Sequence, residues 1–156
     1  MYAVLFAPVY RARYAEFLRV DFPRIPFPES RTHFDTLSAL GWALVEAHLL
    51  RKVKRRGLGK YRGRGDNTVE AVRYVAADKS IHIDAAHSFA PVPQAVWDFH
   101  IGGYQVLEKY LKSRKGRTLS LDEIEHVAKV ADVLAFTIDQ MATIDAAYTA
   151  AFPQQT

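Results

Sequence analysis

The sequence predicts an α+β fold, mainly helical, with a small antiparallel hairpin or sheet in the middle and a long C-terminal helix. Three observations carry that expectation. Apolar residues recur at helical spacing over residues 31–51 and again from Ile124 to Met141. Between Thr68 and Asp84 the period drops to two, as in a half-buried strand. Glycines and prolines cluster outside these stretches and mark the connections.

Residues 2–18 read as helix broken near Pro8, because proline lacks the N–H that a helix interior needs but suits a first turn. Tyr10, Tyr14, Phe17 and Leu18 then form one apolar face. The segment DFPRIPFP at 21–28 holds three prolines and predicts an extended, polyproline-like strap. A second helix follows over 31–51, capped by Ser30 or Thr32, with Phe34, Leu37, Leu40, Gly41, Leu44, Val45 and His48 on one side. Next comes a basic stretch interleaved with Gly57, Gly59, Gly63 and Gly65, whose composition predicts a mobile loop.

Val72, Tyr74 and Ala76 alternate with Arg73 and Val75, and Ile81 and Ile83 with His82 and Asp84; Asp78–Lys79 between them predicts an antiparallel hairpin. Pro93 can start a short helix carrying Trp97, Gly102–Gly103 breaks it, and a further helix runs to about Ser113 before Gly116. Ser120 and Glu123 have the S-x-x-E spacing of a capping box. Behind them Ile124, Val127, Ala131, Leu134, Ile138 and Met141 define the last helix, and the tail PQQT is expected to fray. No repeat or linker divides the chain. It is expected to be one domain over 1–156, with lead-in helices at 1–51, the basic loop and β segment at 52–90, and the aromatic-glycine motif and C-terminal helices at 91–156.

Composition narrows the function. A chain of 156 residues with 49% hydrophobic and 24% charged residues can bury a real core, which excludes a disordered tail. Cysteine is absent, excluding disulfides, thiolate metal sites and a cysteine nucleophile; this suits a reducing cytoplasm. No apolar run approaches a membrane span, so no membrane partner is expected. The opening MYAVLFAPVY lacks a basic n-region and is interrupted by Tyr10, Arg11 and Arg13, so it is not read as a signal peptide.

The net charge of +4 is modest, but its distribution is uneven. Arg51, Lys52, Lys54, Arg55, Arg56, Lys60, Arg62 and Arg64 fall in one stretch without an acid, and Lys109, Lys112, Arg114, Lys115 and Arg117 form a second cluster. Lys54, Arg55, Arg56, Lys60, Arg62, Arg64, Arg114, Lys115 and Arg117 are the candidates for phosphate contacts, which give affinity without sequence information. The alternative is a solvated basic loop of no consequence.

Other constellations point less far. Trp97, Phe99 and Tyr104 are read as packing residues at a sheet–helix junction, with Gly102–Gly103 as a hinge allowing close backbone approach. Gln105 and Lys109 are expected on the exposed side of the following helix. His82, Asp84 and His87 could hold a divalent ion, but no fourth ligand is foreseeable and no metal site is assigned. Glu46–His48 and Glu125–His126 lack the HExxH spacing, and Asp122, Glu123 and Glu125 are explained by the helix dipole at their helix start. With no P-loop, GxGxxG or nucleophile elbow, no residue is assigned a catalytic role, and no cofactor is expected in this chain.

The string WDFHIGGYQVLEKYLKSRKGR, Trp97 to Arg117, resembles the C-terminal target-recognition (specificity) region of type I single-polypeptide restriction-modification enzymes, in which an adenine-specific DNA methyltransferase and a helicase-nuclease share one chain. Trp97, Gly102, Gly103 and Tyr104 are its most specific positions. The resemblance extends to Tyr10, Arg11, Arg13 and Tyr14, to the run Asp21-Phe22-Pro23-Arg24-Ile25-Pro26, to His48-Leu49-Leu50, and to Leu119-Ser120 with Asp122-Glu123-Ile124. It implies a module that binds double-stranded DNA beside a methyltransferase using S-adenosylmethionine. The Asn-Pro-Pro-Tyr-type motif of such a methyltransferase does not occur in this sequence. On that implication Arg73, His82 and Gln105 are the candidates for reading bases. Two further functions compete: a docking domain linking methyltransferase and helicase-nuclease parts, and a small metal enzyme built on His82, Asp84 and His87.

Overall fold

The long helices and the central hairpin fall where the residue pattern places them, and two short strand pairings do not. The computed structural model describes residues 1–153; the last three positions of the PQQT tail lie outside the described residues. Helices dominate, a four-stranded antiparallel sheet occupies the middle of the chain, and one helix spans Leu121–Ala151, so the α+β class holds. The chain divides into two units, Met1–Lys52 with the residues from Thr137 onward, and Val53–Phe136.

In the first unit, α1 (Tyr2–Phe6) and α2 (Pro8–Arg13) are separated at Ala7, and Pro8 occupies the first turn of α2, where its missing N–H costs nothing. Asp145 accepts from the backbone N–H of Val9 at 2.9 Å, placing a carboxylate at the positive end of α2. A short α3 (Phe17–Val20) leads into the strap, which has no regular structure and is pinned where the Tyr10 hydroxyl donates to the Arg24 carbonyl at 3.1 Å. Helix α4 (Arg31–His48) buries Leu37, Gly41, Leu44 and Ala47. It stops at His48, three residues before the predicted end, and Leu50 just beyond it has a φ of 56° that breaks the helical path. Ser30 holds the N-cap position but its side chain makes no cap bond, and Phe34 is more exposed than its place on the apolar face suggests. His48 sits between the Tyr2 hydroxyl (2.7 Å) and the Thr137 hydroxyl (2.8 Å), and burial lowers its pKa.

The second unit is built on β1 (Lys60–Arg62), β2 (Arg73–Val75), β3 (Ser80–His82) and β4 (Ser88–Ala90), in the order β1-β4-β3-β2. The predicted hairpin is β2–β3. The predicted mobile loop is corrected: Lys60–Arg62 form an edge strand paired to β4, and the backbone N–H of Leu58 donates to the Asp132 carboxylate at 3.0 Å. Side chains opposite one another share a face. Tyr61, Phe89, Ile81 and Tyr74 therefore line one side as the apolar layer, with Phe89 and Ile81 fully buried.

Trp97, at the end of α5 (Gln94–Trp97), is buried and stacks on Tyr74 with ring centres 5.3 Å apart, as the packing reading requires. Tyr104 does not join it and is 63% exposed. Gly102–Gly103 do not simply interrupt a helix. They are the turn of a second hairpin, β5 (His100–Ile101) with β6 (Tyr104–Gln105), and Gly102 adopts a φ of 60° that such tight turns favour. Gln105 is corrected as well. It lies at the N-cap of α6 (Val106–Lys112), half-buried, and its side-chain amide donates to the Trp97 carbonyl.

The capping box of α7 (Leu121–Ala151) closes as its spacing predicts: the Glu123 N–H donates to the Ser120 hydroxyl at 3.2 Å, and the Ser120 N–H donates to the Glu123 carboxylate at 3.1 Å. Val127, Ala131 and Leu134 are buried below it.

Candidate nucleic-acid interface

The face of the sheet opposite the apolar layer carries the cations. Strand pairing aligns Arg62 with Ser88, Ser88 with His82, and His82 with Arg73. Four residues thus fall in one transverse row, Arg62–Ser88–His82–Arg73, with Ser88 buried between the edge strands and Lys60 two residues from Arg62 on the same side. Arg62, Arg73 and Lys60 are exposed, and His82 is half-buried with its Nε2 3.0 Å from the Ser80 hydroxyl. The row crosses three inter-strand spacings, about 14 Å.

His87 fixes the turn that follows β1. Its Nδ1 lies 2.6 Å from the Asp84 carboxylate and its Nε2 3.0 Å from the Arg64 carbonyl. Both ring nitrogens face acceptors, which only an imidazolium satisfies by donating twice. The hydrogen bond to Asp84 is the main cause of a raised His87 pKa. Burial pushes Asp84 upward, but hydrogen bonds from the His87 ring and from the Ala86 and His87 N–H groups outweigh it and leave its pKa lowered. The His87 ring stacks on Tyr61, and opposite it Gly63 is indispensable: at φ 130°, a Cβ there would stand 2.1 Å from the ring. His82 belongs to the other face, so the suggested His82–Asp84–His87 set does not assemble. Among the described residues no group of three His, Asp or Glu side chains is placed to hold a metal ion.

The second basic cluster lies alongside the end of the first. The Val69 N–H donates to the Arg117 carbonyl (3.0 Å), the Gly116 N–H to the Val69 carbonyl (2.8 Å), and Thr68 pairs with Thr118. Its arginines have different employments. Arg114 lies over the Tyr110 ring at 3.5 Å and binds Glu123 at 2.8 Å; Arg117 reaches the same carboxylate at 2.7 Å. Lys115 points to solvent.

Within the first cluster Arg55 pairs with Asp132 at 3.0 Å and with Glu125 at 3.7 Å, while Lys54, Arg56 and Arg64 are exposed. Asp132 is wholly buried and holds both Arg55 and the Leu58 backbone. No sequence signal marks it, because it sits between Ala131 and Val133 in an otherwise apolar stretch of helix.

The family model of the type ISP C-terminal specificity domain matches residues 1–142. The chain belongs to that family. Solved structures agree with the specificity-domain fold. A nuclease-deletion mutant of the type ISP restriction-modification enzyme LlaGI, in complex with a DNA substrate mimic, matches with a TM-score of 0.67 at 20% identity over 91% of this chain and 13% of that one. The DrdV–DNA complex matches at 0.66 and 25% identity over 93% and 17%. The ATP-dependent type ISP restriction-modification enzyme LlaBIII bound to DNA matches at 0.63 and 13% identity over 94% and 10%. This specificity domain therefore spans a small fraction of those enzymes. No curated protein sequence matches it. Among its described residues no helix is long and apolar enough to cross a membrane.

Proposed function

We propose that this specificity domain reads duplex DNA for an adenine-N6 methyltransferase of a cytoplasmic restriction-modification enzyme and is not itself catalytic. The supporting observation is the strand register that brings Arg62, His82 and Arg73 into one row. A row about 14 Å wide is commensurate with the roughly 12 Å major groove of B-DNA. In this reading Lys54, Arg56, Lys60, Arg62, Arg64 and Lys115 contact phosphates and set register. Arg73 and His82 stand where base edges would be read. Gln105 leaves the reading set, because its amide is committed to the Trp97 carbonyl. Arg55, Arg114 and Arg117 serve mainly to bind Glu125, Asp132 and Glu123 of α7. The methyl-donor site, the adenine-flipping step and the helicase-nuclease belong to the partner domains of the same enzyme.

Fluorescence anisotropy of a labelled duplex, titrated across salt concentrations, tests the proposal. Binding should weaken steeply with salt. The Arg62→Glu/Arg73→Glu variant should bind at least ~10-fold more weakly, and the log–log salt slope should flatten by about 1 for every phosphate no longer neutralised. Absence of binding at low salt would reject DNA reading and leave the docking function between methyltransferase and helicase-nuclease.

A further inference from the structure

The β5–β6 hairpin and the groove behind it have no part in the basic row. Ile101 and Tyr104 pair across the Gly102–Gly103 turn, and both are more than half exposed. Nothing lies within 4 Å of where a Cβ on either glycine would be, so the tip stands in open space without side chains of its own. Behind it an open groove of about 380 Å³ runs between the hairpin, α6 and α7, lined by Ile101, Tyr104, Leu107, Tyr110, His126 and Val130 among others. Three of these carry aromatic rings, and Tyr110 and His126 lie 4.8 Å apart.

The charge around the groove is positive. Lys109 stands 4.7 Å over the Tyr104 ring and Arg114 3.5 Å over Tyr110. The nearby acids are already engaged, Glu108 with Lys112 and Glu123 with Arg114 and Arg117. Burial lowers the His126 pKa, and the adjacent Arg114 and Lys129 lower it further, which favours the neutral ring. An apolar, aromatic floor under a cationic rim suits a flat π-system attached to an anionic chain. An acidic or purely aliphatic protein surface would use only half of those features.

We propose that this hairpin and groove take an unstacked nucleobase, with Tyr104 as the stacking platform and Ile101 beside it. The inference rests on the DNA-reading proposal and adds a second, aromatic mode of contact to it. Aromatic stacking of a base is sequence-tolerant, so the site complements the reading row without duplicating it.

The test compares the 156-residue chain on two labelled duplexes, one fully paired and one carrying a single bulged 2-aminopurine. The bulged duplex should bind about 10-fold more tightly, with quenched 2-aminopurine fluorescence as the base stacks. Tyr104→Ala should remove both the preference and the quenching while leaving affinity for the paired duplex unchanged; Tyr104→Phe should retain both. Thermal melts of these exposed-site variants check that folding is intact. Equal affinity for the two duplexes in the native chain, or quenching that survives Tyr104→Ala, overturns the inference while DNA reading stands. Binding to neither duplex at low salt overturns both.

Discussion

The His87 imidazolium joins residues that would otherwise be read as separate. One ring nitrogen holds Asp84 and the other the carbonyl of Arg64, in the turn carrying one of the proposed phosphate contacts. Because the folded state raises the His87 pKa, its stabilising contribution is complete below the unfolded value of about 6.5 and fades as pH rises through the higher folded value. Asp84, lowered on folding, contributes above its unfolded pKa and loses that contribution on acidification. The pair therefore contributes in full between the two unfolded values, above about 3.8 for Asp84 and below about 6.5 for His87. Urea melts across a pH series should show the native chain losing stability above neutrality relative to His87→Gln; parallel curves would exclude a charged ring. Gly63 gives a second test. Gly63→Ala forces a Cβ into that ring from a φ that side chains avoid, and should cost about 2–4 kcal/mol in a denaturant melt.

Among the elements, legibility followed the length of each periodic signal. The capping box and apolar repeat of α7 were readable because they are local and long. Ser120→Ala should lower stability by about 1 kcal/mol, measurable as a fall in Tm, because the Glu123 N–H then has no hydroxyl to donate to. Strand β1 was hidden because Lys60 and Arg62 flank only one apolar residue, Tyr61, and its partner β4 lies nearly thirty residues on. The Lys-Tyr-Arg alternation was the available clue, outweighed by the surrounding glycines and like charges. Hairpin β5–β6 has two residues per strand, too few to show a period of two, so Gly102–Gly103 looked like a helix break. The strand positions of Arg73 and His82 were legible in the alternation of β2 and β3, whereas their proposed base-reading role came from the family resemblance alone. Their alignment with Arg62 depends on non-local pairing that residue spacing does not encode.

For the whole molecule, a net charge of +4 conceals two populations of cations with different work. Arg55, Arg114 and Arg117 neutralise acids of α7, and Asp132 among these is fully buried. Removing such a partner leaves a carboxylate without its counter-charge, and a buried one is costly to leave unpaired. Arg62, Arg73 and Lys60 are exposed side chains on the two edge strands, where charge contributes little to folding. Charge reversal should therefore separate stability from affinity. Arg114→Glu sets a second carboxylate against Glu123 and removes the cation from the Tyr110 face, so its Tm should fall by several degrees. Its duplex affinity, measured below that transition, should fall far less than that of Arg62→Glu/Arg73→Glu. The latter variant should melt within about 0.5 kcal/mol of the native chain, as surface substitutions do. If both variants bound DNA equally poorly and neither was destabilised, the positive surface would be acting as one undifferentiated field, and the division read from the ion pairs would be wrong.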